Sequence, residues 1–243
     1  MRAKIIAVWG YKGKTTFAVN LAWSLVKHKN DKIVTLLSSN LTFGDLQGHF
    51  GQTILDKNGL LHALVGEERP RKYLWKAGND SIWKDIFLMA LPNEYDSLLV
   101  EEPTLDRVEA LVEDLSATES TDYLIVDCSG DLHNPITGAA LAMTDTIILL
   151  HNPGWASYHW YRGMRSFRDQ LSLDSKTSHL ISGHDRSCNV SQYIDELNLT
   201  ILDEIPHVSN ARFYENNGTP ICSEESRATR SYREAMQRIC LWL

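Results

Sequence analysis

The sequence is poor in the features that mark disulfide scaffolds, metal centres and membrane spans. It has only four cysteines, Cys128, Cys188, Cys222 and Cys240, and no C-x-x-C pair among them. That spacing predicts reduced thiols in a cytoplasmic protein and argues against a disulfide framework or a structural zinc site. His151, His159, His179, His184 and His207 show no H-x-x-x-H or H-E-x-x-H spacing, so they read as surface or satisfied core histidines. No apolar run approaches the ~20 residues that a membrane span needs. The amino end, "MRAKIIAVWG", passes from a basic pair straight into a strand-like run without a small-residue cleavage site, so no signal peptide is expected. There is no internal repeat and no low-complexity segment. The net charge is −7, which excludes binding to DNA through the whole surface but leaves room for a local basic patch.

What is present is alternation. Strand-length apolar runs fall at Lys4–Val8, Lys32–Leu37, Ile86–Ala90, Tyr123–Asp127, Thr146–Leu150, His179–Ser182 and Thr200–Ile205. Most are continuously apolar, as strands of a parallel sheet covered on both faces must be. Helical patterns lie between them at Thr15–Lys29, Thr104–Ser116, Pro135–Met143, Trp155–Leu171, Val190–Leu197 and Ser226–Trp242. The stretch Gly66–Asp85 reads as the most loop-like. The pattern predicts one doubly wound α/β domain over residues 1–243, a mostly parallel sheet with helices on both faces and its ligand site at the carboxyl ends of the strands.

The first unit carries the chemistry. "KIIAVWG" is followed by Gly13-Lys14-Thr15-Thr16 at the expected start of a helix. A phosphate-binding loop reads G-x-x-x-x-G-K-[ST]: its amides wrap the phosphates, the Lys neutralises them, and the hydroxyl holds Mg²⁺. Here Gly10 is the only earlier glycine, so the loop is two residues short. Fewer amides are left to form the nest.

The order of segments resembles the ParA/MinD family of deviant Walker ATPases along nearly the whole chain. "GKTTFAVNLAWSL" is similar to that family's first helix, and "TDYLIVDCSGDL" to its Walker B strand. "LTFGDLQGHFG", Leu41 to Gly51, resembles the segment after the second strand in the TadZ/CpaE branch, whose members localise pilus-assembly machinery. "ALAMTDTIILLHNPGWAS" and "LDEIPHVSNARFYENNGTPIC" resemble the later helix, strands and closing loop. The resemblance implies a P-loop NTPase fold, ATP and Mg²⁺ as cofactors, and a homodimer with a protein partner. Lys14 would contact the phosphates, Thr16 would bond the α-phosphate, and Thr15 with Asp127 would hold Mg²⁺. Backbone near Gly218-x-Pro220 would meet the base.

The departures from the family pattern set the remaining expectations. The signature lysine that reaches across the dimer falls on Lys12 if a gap is allowed, and on Trp9 if it is not. The D-x-D after the second strand, whose first Asp orients the attacking water, falls on Ser38 and Asn40. Neither is a carboxylate, so slow hydrolysis or none is expected. Asp45 reads as a carboxylate at the start of a following helical turn, with recruitment to the site as the alternative, and Asp131 lies in a switch-like loop from which it could substitute for the missing group. Where many relatives carry an adenine-reading Asn, Ser182 and Gly183 stand. The reading is therefore a nucleotide switch or pseudo-ATPase that positions a larger machine such as a pilus or secretion apparatus. A partition ATPase acting on DNA and a nucleotide-free scaffold are the alternatives, with DNA not favoured as a partner.

Three further features have plainer readings. Cys128, beside Asp127 on an apolar strand, reads as a buried and inert thiol. "WASYHWYRGMRSFRDQ", Trp155 to Gln170, mixes aromatics with Arg162, Arg165 and Arg168. It reads as an amphipathic helix with an arginine-rich outer face, as a protein-partner or dimer contact, or as a surface that stacks on single-stranded nucleic acid. The tail "SYREAMQRICLWL" has too few bases for a membrane anchor and reads as a packed last helix.

Overall fold

The computed structural model of the chain describes residues 2–54, 59–79, 82–94, 102–117, 121–184 and 188–243. Its strands are β1 Lys4–Gly10, β2 Val34–Ser38, β3 Trp75–Lys76, β4 Ile86–Met89, β5 Tyr123–Asp127, β6 Thr146–His151, β7 Thr177–Ser182 and β8 Ile201–Ile205. They form one eight-stranded sheet in the order β3-β4-β2-β5-β1-β6-β7-β8. Every pairing is parallel except the edge pair β3 and β4.

The helices are α1 Lys14–His28, α2 Leu60–Val65, α3 Leu105–Leu115, α4 Pro135–Met143, α5 Trp155–Gly163, α6 Arg165–Gln170, α7 Val190–Leu197, α8 Ala211–Asn216 and α9 Arg230–Trp242. The central strand β1 shows why its run is wholly apolar. Ile6 and Val8 face a core shared with Phe17, Leu21 and Leu25 of α1 and with Met236 and Ile239 of α9. Ile5, Ala7 and Trp9 face the opposite core, with Val108, Leu111 and Leu115 of α3 and Ile136 and Ala140 of α4. Each fully buried large side chain contributes about 2 kcal/mol of apolar burial. The fold is thus the doubly wound, mostly parallel sheet that the alternation predicts.

α9 packs through Tyr232, Ala235, Met236, Ile239 and Cys240, with Leu241 and Trp242 left outside. Among the described residues no helix is long and apolar enough to cross a membrane.

The structure departs from the expected boundaries where side chains claim backbone groups. Strand β2 starts at Val34, not Lys32. The Asp122 carboxylate holds both the Ile33 amide and the Lys32 ammonium, at 2.9 Å each, and so keeps that pair out of the ladder. The pattern over Trp155–Leu171 breaks at Gly163 and Met164 into α5 and α6. Arg168 turns inward, donates to the Tyr161 carbonyl at 3.1 Å, and lies 3.7 Å over the Tyr161 ring. It is therefore buried against the first segment and not part of an arginine-rich outer face.

The last helix starts at Arg230, not Ser226. Buried Thr229 donates to the Glu224 carbonyl and bonds Ser226, forming a turn ahead of the helix. In the loop-like stretch, residues 80 and 81 lie outside the described residues. Arg71, near its start, grips Asp114 Oδ1 through Nε at 3.0 Å and Nη2 at 2.7 Å. That charge-assisted contact ties the start of the loop-like stretch to α3.

Candidate nucleotide site

The site is assembled where β1 hands over to α1. Gly10 has φ of +147°, and a Cβ there would lie 2.5 Å from the Leu150 carbonyl oxygen of neighbouring β6. Only glycine fits that approach. Gly13 adopts φ of +77° at the N-cap position of α1, and no side chain caps the helix. The first-turn amides of α1 thus have no side-chain cap, and a helix start of this kind favours an anion.

Trp9 is completely buried at the end of β1 against Trp160 and Phe167. Lys12 is exposed in the loop. Of the two positions considered for the signature lysine, only Lys12 has an exposed side chain.

Two cavities flank the start of α1. The first, about 300 Å³, is lined by Lys14, Thr15, Asn40, Asp45, Asp127 and Asp131 among others. Thr15 Oγ1 donates to Asp127 Oδ2 at 2.6 Å. The other oxygen, Asp127 Oδ1, is buried without a hydrogen-bond partner. Burial pushes the Asp127 carboxyl up to about 6, while the Thr15 bond and Lys14 oppose the shift. Burial also lowers the Lys14 ammonium, opposed by Asp127.

An unpartnered buried carboxylate oxygen beside a hydroxyl is a fitting pair of ligands for a small divalent cation. Among the described residues no three of His, Cys, Asp and Glu converge to hold a metal alone. Mg²⁺ takes one or two protein oxygens and completes its shell with phosphate and water.

The positions matched to the D-x-D pair separate here. Asn40 lines the first cavity, but its Oδ1 accepts from the Thr42 and Phe43 amides. Ser38 is buried, and its hydroxyl accepts from the Asn40 amide at 3.2 Å. Asp45 and Asp131 are the carboxylates that reach the cavity besides Asp127, and burial raises the Asp45 carboxyl. Asp45 also precedes a 3-10 turn, Leu46–Phe50, as its pattern suggests.

The loop that carries Asp131 is pinned from three sides. Ser39 Oγ accepts the Ser129 amide at 2.7 Å, and Asn134 Nδ2 donates to the Ser39 carbonyl at 2.6 Å. Trp160 Nε1 donates to the Gly130 carbonyl at 3.0 Å. Cys128 is buried with its thiol pushed up by burial, so it stays protonated and unreactive.

The second cavity, about 490 Å³, opens on the other side of α1 and is large enough for a nucleoside. Lys12, Gly13, Thr16, Ser182, Gly183 and the Pro206–Val208 segment line it. Pro220 is buried and absent from this lining, whereas its neighbour Ile221 is part of it.

Two lining residues escaped the sequence reading. Asn152 donates through Nδ2 to the Ser182 carbonyl at 2.8 Å, and its Oδ1 is buried without a partner. Glu215 accepts from Thr16 Oγ1, so the hydroxyl that the resemblance assigns to the α-phosphate is engaged by a carboxylate here. Neither belongs to a spacing motif; the only local signal was the Pro-Gly turn after Asn152.

His151 and His179 sit side by side on β6 and β7, 3.0 Å apart, with the Tyr193 hydroxyl 3.0 Å from His151. Burial lowers them to about 3 and about 4. They are satisfied, neutral core histidines, as expected.

The sequence matches no family model and no curated protein. Solved structures resemble the fold over almost the whole length. The cell division ATPase MinD of Pyrococcus furiosus superposes with a TM-score of 0.78 at 17% identity, covering 99% of this chain and 100% of that one. The septum site-determining protein MinD of Pyrococcus horikoshii, complexed with Mg-ADP, gives 0.76 at 17% identity over 98% and 96%. A ParA family ATPase from Chlorobium tepidum gives 0.76 at 16% identity over 99% and 100%. The chain has the P-loop fold of the MinD and ParA ATPases.

Proposed function

We propose that this chain, with the fold of the MinD and ParA ATPases, binds Mg²⁺-ATP across the start of α1 and uses it as a conformational switch. The observation that carries the reading is the Lys14–Thr15–Asp127 constellation, with its buried, unpartnered Asp127 Oδ1 beside an uncapped helix start. In that reading the α1 amides and Lys14 hold the phosphates, while Thr15 Oγ1 and Asp127 hold the cation. Bound Mg²⁺ supplies charge neutralisation across the phosphates. The second cavity takes the nucleoside.

The machine that such a switch positions is, on the likeness of Leu41 to Gly51 to the TadZ/CpaE branch, a pilus or secretion assembly. The active form is a homodimer in which Lys12 reaches the partner's phosphates. Turnover is slow, because the positions after β2 that would orient water carry Ser38 and Asn40. A hydrolysing enzyme is the second reading, favoured by Asp45 and Asp131 on the wall of the first cavity.

Calorimetry decides whether nucleotide binds. The intact chain should take up Mg²⁺-ATP at micromolar to millimolar concentration, and Lys14→Ala should weaken binding at least tenfold. No heat and no thermal shift at millimolar nucleotide would remove the switch. Phosphate release that Asp45→Asn abolishes would establish the second reading.

A further inference from the structure

Glu215 is a negative side chain on the wall of a cavity whose other charged or titratable lining groups include Lys12, His207 and Arg212. It is held there from several directions. Its Oε1 accepts from Thr16 Oγ1. Asn20, buried one turn further along α1, donates to the Thr16 carbonyl and accepts the Cys222 amide at 2.8 Å, tying the chain after α8 to α1. Gly218 packs so tightly on Gly51 that a Cβ would lie 2.3 Å from the Gly51 amide nitrogen. These contacts fix the end of α8 against both α1 and the 3-10 turn Leu46–Phe50.

A carboxylate cannot serve as a phosphate ligand, because like charges repel at that distance. It can only accept, so its natural partner is a neutral group with hydroxyl or amino donors. If the phosphates lie on the α1 amides, the group reached beside Thr16 is the sugar, and the base lies further out toward Pro206–Val208. An acidic side chain beside a vicinal diol is a strong, charge-assisted acceptor of its two hydroxyls.

We infer that Glu215 reads the ribose hydroxyls of the bound nucleotide and so selects ribonucleotides over deoxyribonucleotides. The inference rests on the nucleotide reading above and assigns the sugar contact within it. Thr16 holds the carboxylate in place before the sugar arrives, so the acceptor is preorganised.

The test is calorimetric titration of the full chain with Mg²⁺-ATP, 2′-deoxy-ATP, 3′-deoxy-ATP and inosine triphosphate, with Glu215→Gln and Glu215→Ala beside the wild type. Loss of one hydroxyl to a charged acceptor should weaken wild-type binding roughly 10-fold or more. Glu215→Ala should bind ATP and both deoxy forms within about twofold of one another, and Glu215→Gln should retain only part of the preference. The comparison of nucleotides on the wild type needs no substitution and so stands even if a variant misfolds. Equal wild-type affinity for ATP and both deoxy forms would overturn the inference while leaving nucleotide binding intact. So would a Glu215→Ala chain that keeps its sugar preference, or one that loses only the distinction between ATP and inosine triphosphate. Failure of the wild type to bind any of the four would remove the nucleotide reading itself, and the sugar contact with it.

Discussion

At the scale of single residues, Asp127 is the point where stability and binding pull in opposite directions. Its carboxyl is buried, and one oxygen has no partner. Folding raises its pKa to about 6. A carboxyl raised in this way binds its proton more readily in the native state than in the unfolded chain. Its contribution therefore favours the fold at low pH and is lost as pH climbs from about 4 through about 6. At pH 7.5, without a cation, ionised Asp127 costs the fold about 1–3 kcal/mol. Asp127→Asn should accordingly raise the melting temperature of the ligand-free chain at pH 7.5 and make no such difference at pH 4. The same substitution should abolish stabilisation by Mg²⁺-ATP, because the amide cannot replace the charged oxygen. Differential scanning calorimetry at the two pH values, with and without Mg²⁺-ATP, checks both signs. A ligand-free Asp127→Asn chain less stable than wild type at pH 7.5 would show that Asp127 is not strained there.

At the scale of elements, the structure joins α5 to the loop after β5 through one hydrogen bond. Trp160 stacks edge-on against Trp9, with ring centroids 4.9 Å apart, and its indole N–H reaches the Gly130 carbonyl. Trp160→Phe keeps an aromatic ring against Trp9 but removes the donor. It should cost about 1 kcal/mol and speed hydrogen exchange of the Ser129–Asn134 amides, leaving β1 exchange unchanged. Equal exchange across that loop in both proteins would mean that the Ser39 and Thr137 hydroxyls, which both accept the Ser129 amide, hold it unaided.

This contact also marks the limit of what the sequence makes legible. Continuous apolar strands, the GKTT helix start and the Asp127 strand end can be read because each depends on local pattern: burial on two faces, a glycine turn, a periodic helix. α2 is only six residues long and buries Leu60, Ala63 and Leu64, too short a stretch to show a period. The split between α5 and α6 depends on Arg168 folding back on Tyr161, which residue type alone does not reveal. The same holds within the site. Lys14, Thr15 and Asp127 carry motif spacing. Asn152 and Glu215 reach the second cavity only because β6 lies beside β1 and α8 packs over the start of α1, a pairing across the chain that no spacing encodes.

At the scale of the whole molecule, the question is how two copies with a net charge of −7 each would come together around a bound polyanion. Each nucleotide adds negative charge, so a face-to-face pair needs a cation from one copy to reach the other's phosphates. Lys12 is the exposed cation in the phosphate loop, and its ammonium lies 5.3 Å from the neighbouring Tyr11 ring with no ion pair among the described residues. Lys14, by contrast, lines the first cavity with Asp127, and its ammonium donates to the Tyr11 carbonyl of its own loop. The two lysines should therefore separate by experiment. Lys14→Ala should lose nucleotide and, with it, any nucleotide-dependent dimer. Lys12→Ala should keep most of its ATP affinity, within about fivefold, since an exposed charge contributes about 1 kcal/mol or less. It should nevertheless sediment as a monomer under Mg²⁺-ATP concentrations at which the wild type sediments as a dimer. Sedimentation velocity of the three proteins, with and without nucleotide, reads both effects at once. Dimerisation of Lys12→Ala equal to wild type would place the pairing surface away from the phosphate loop.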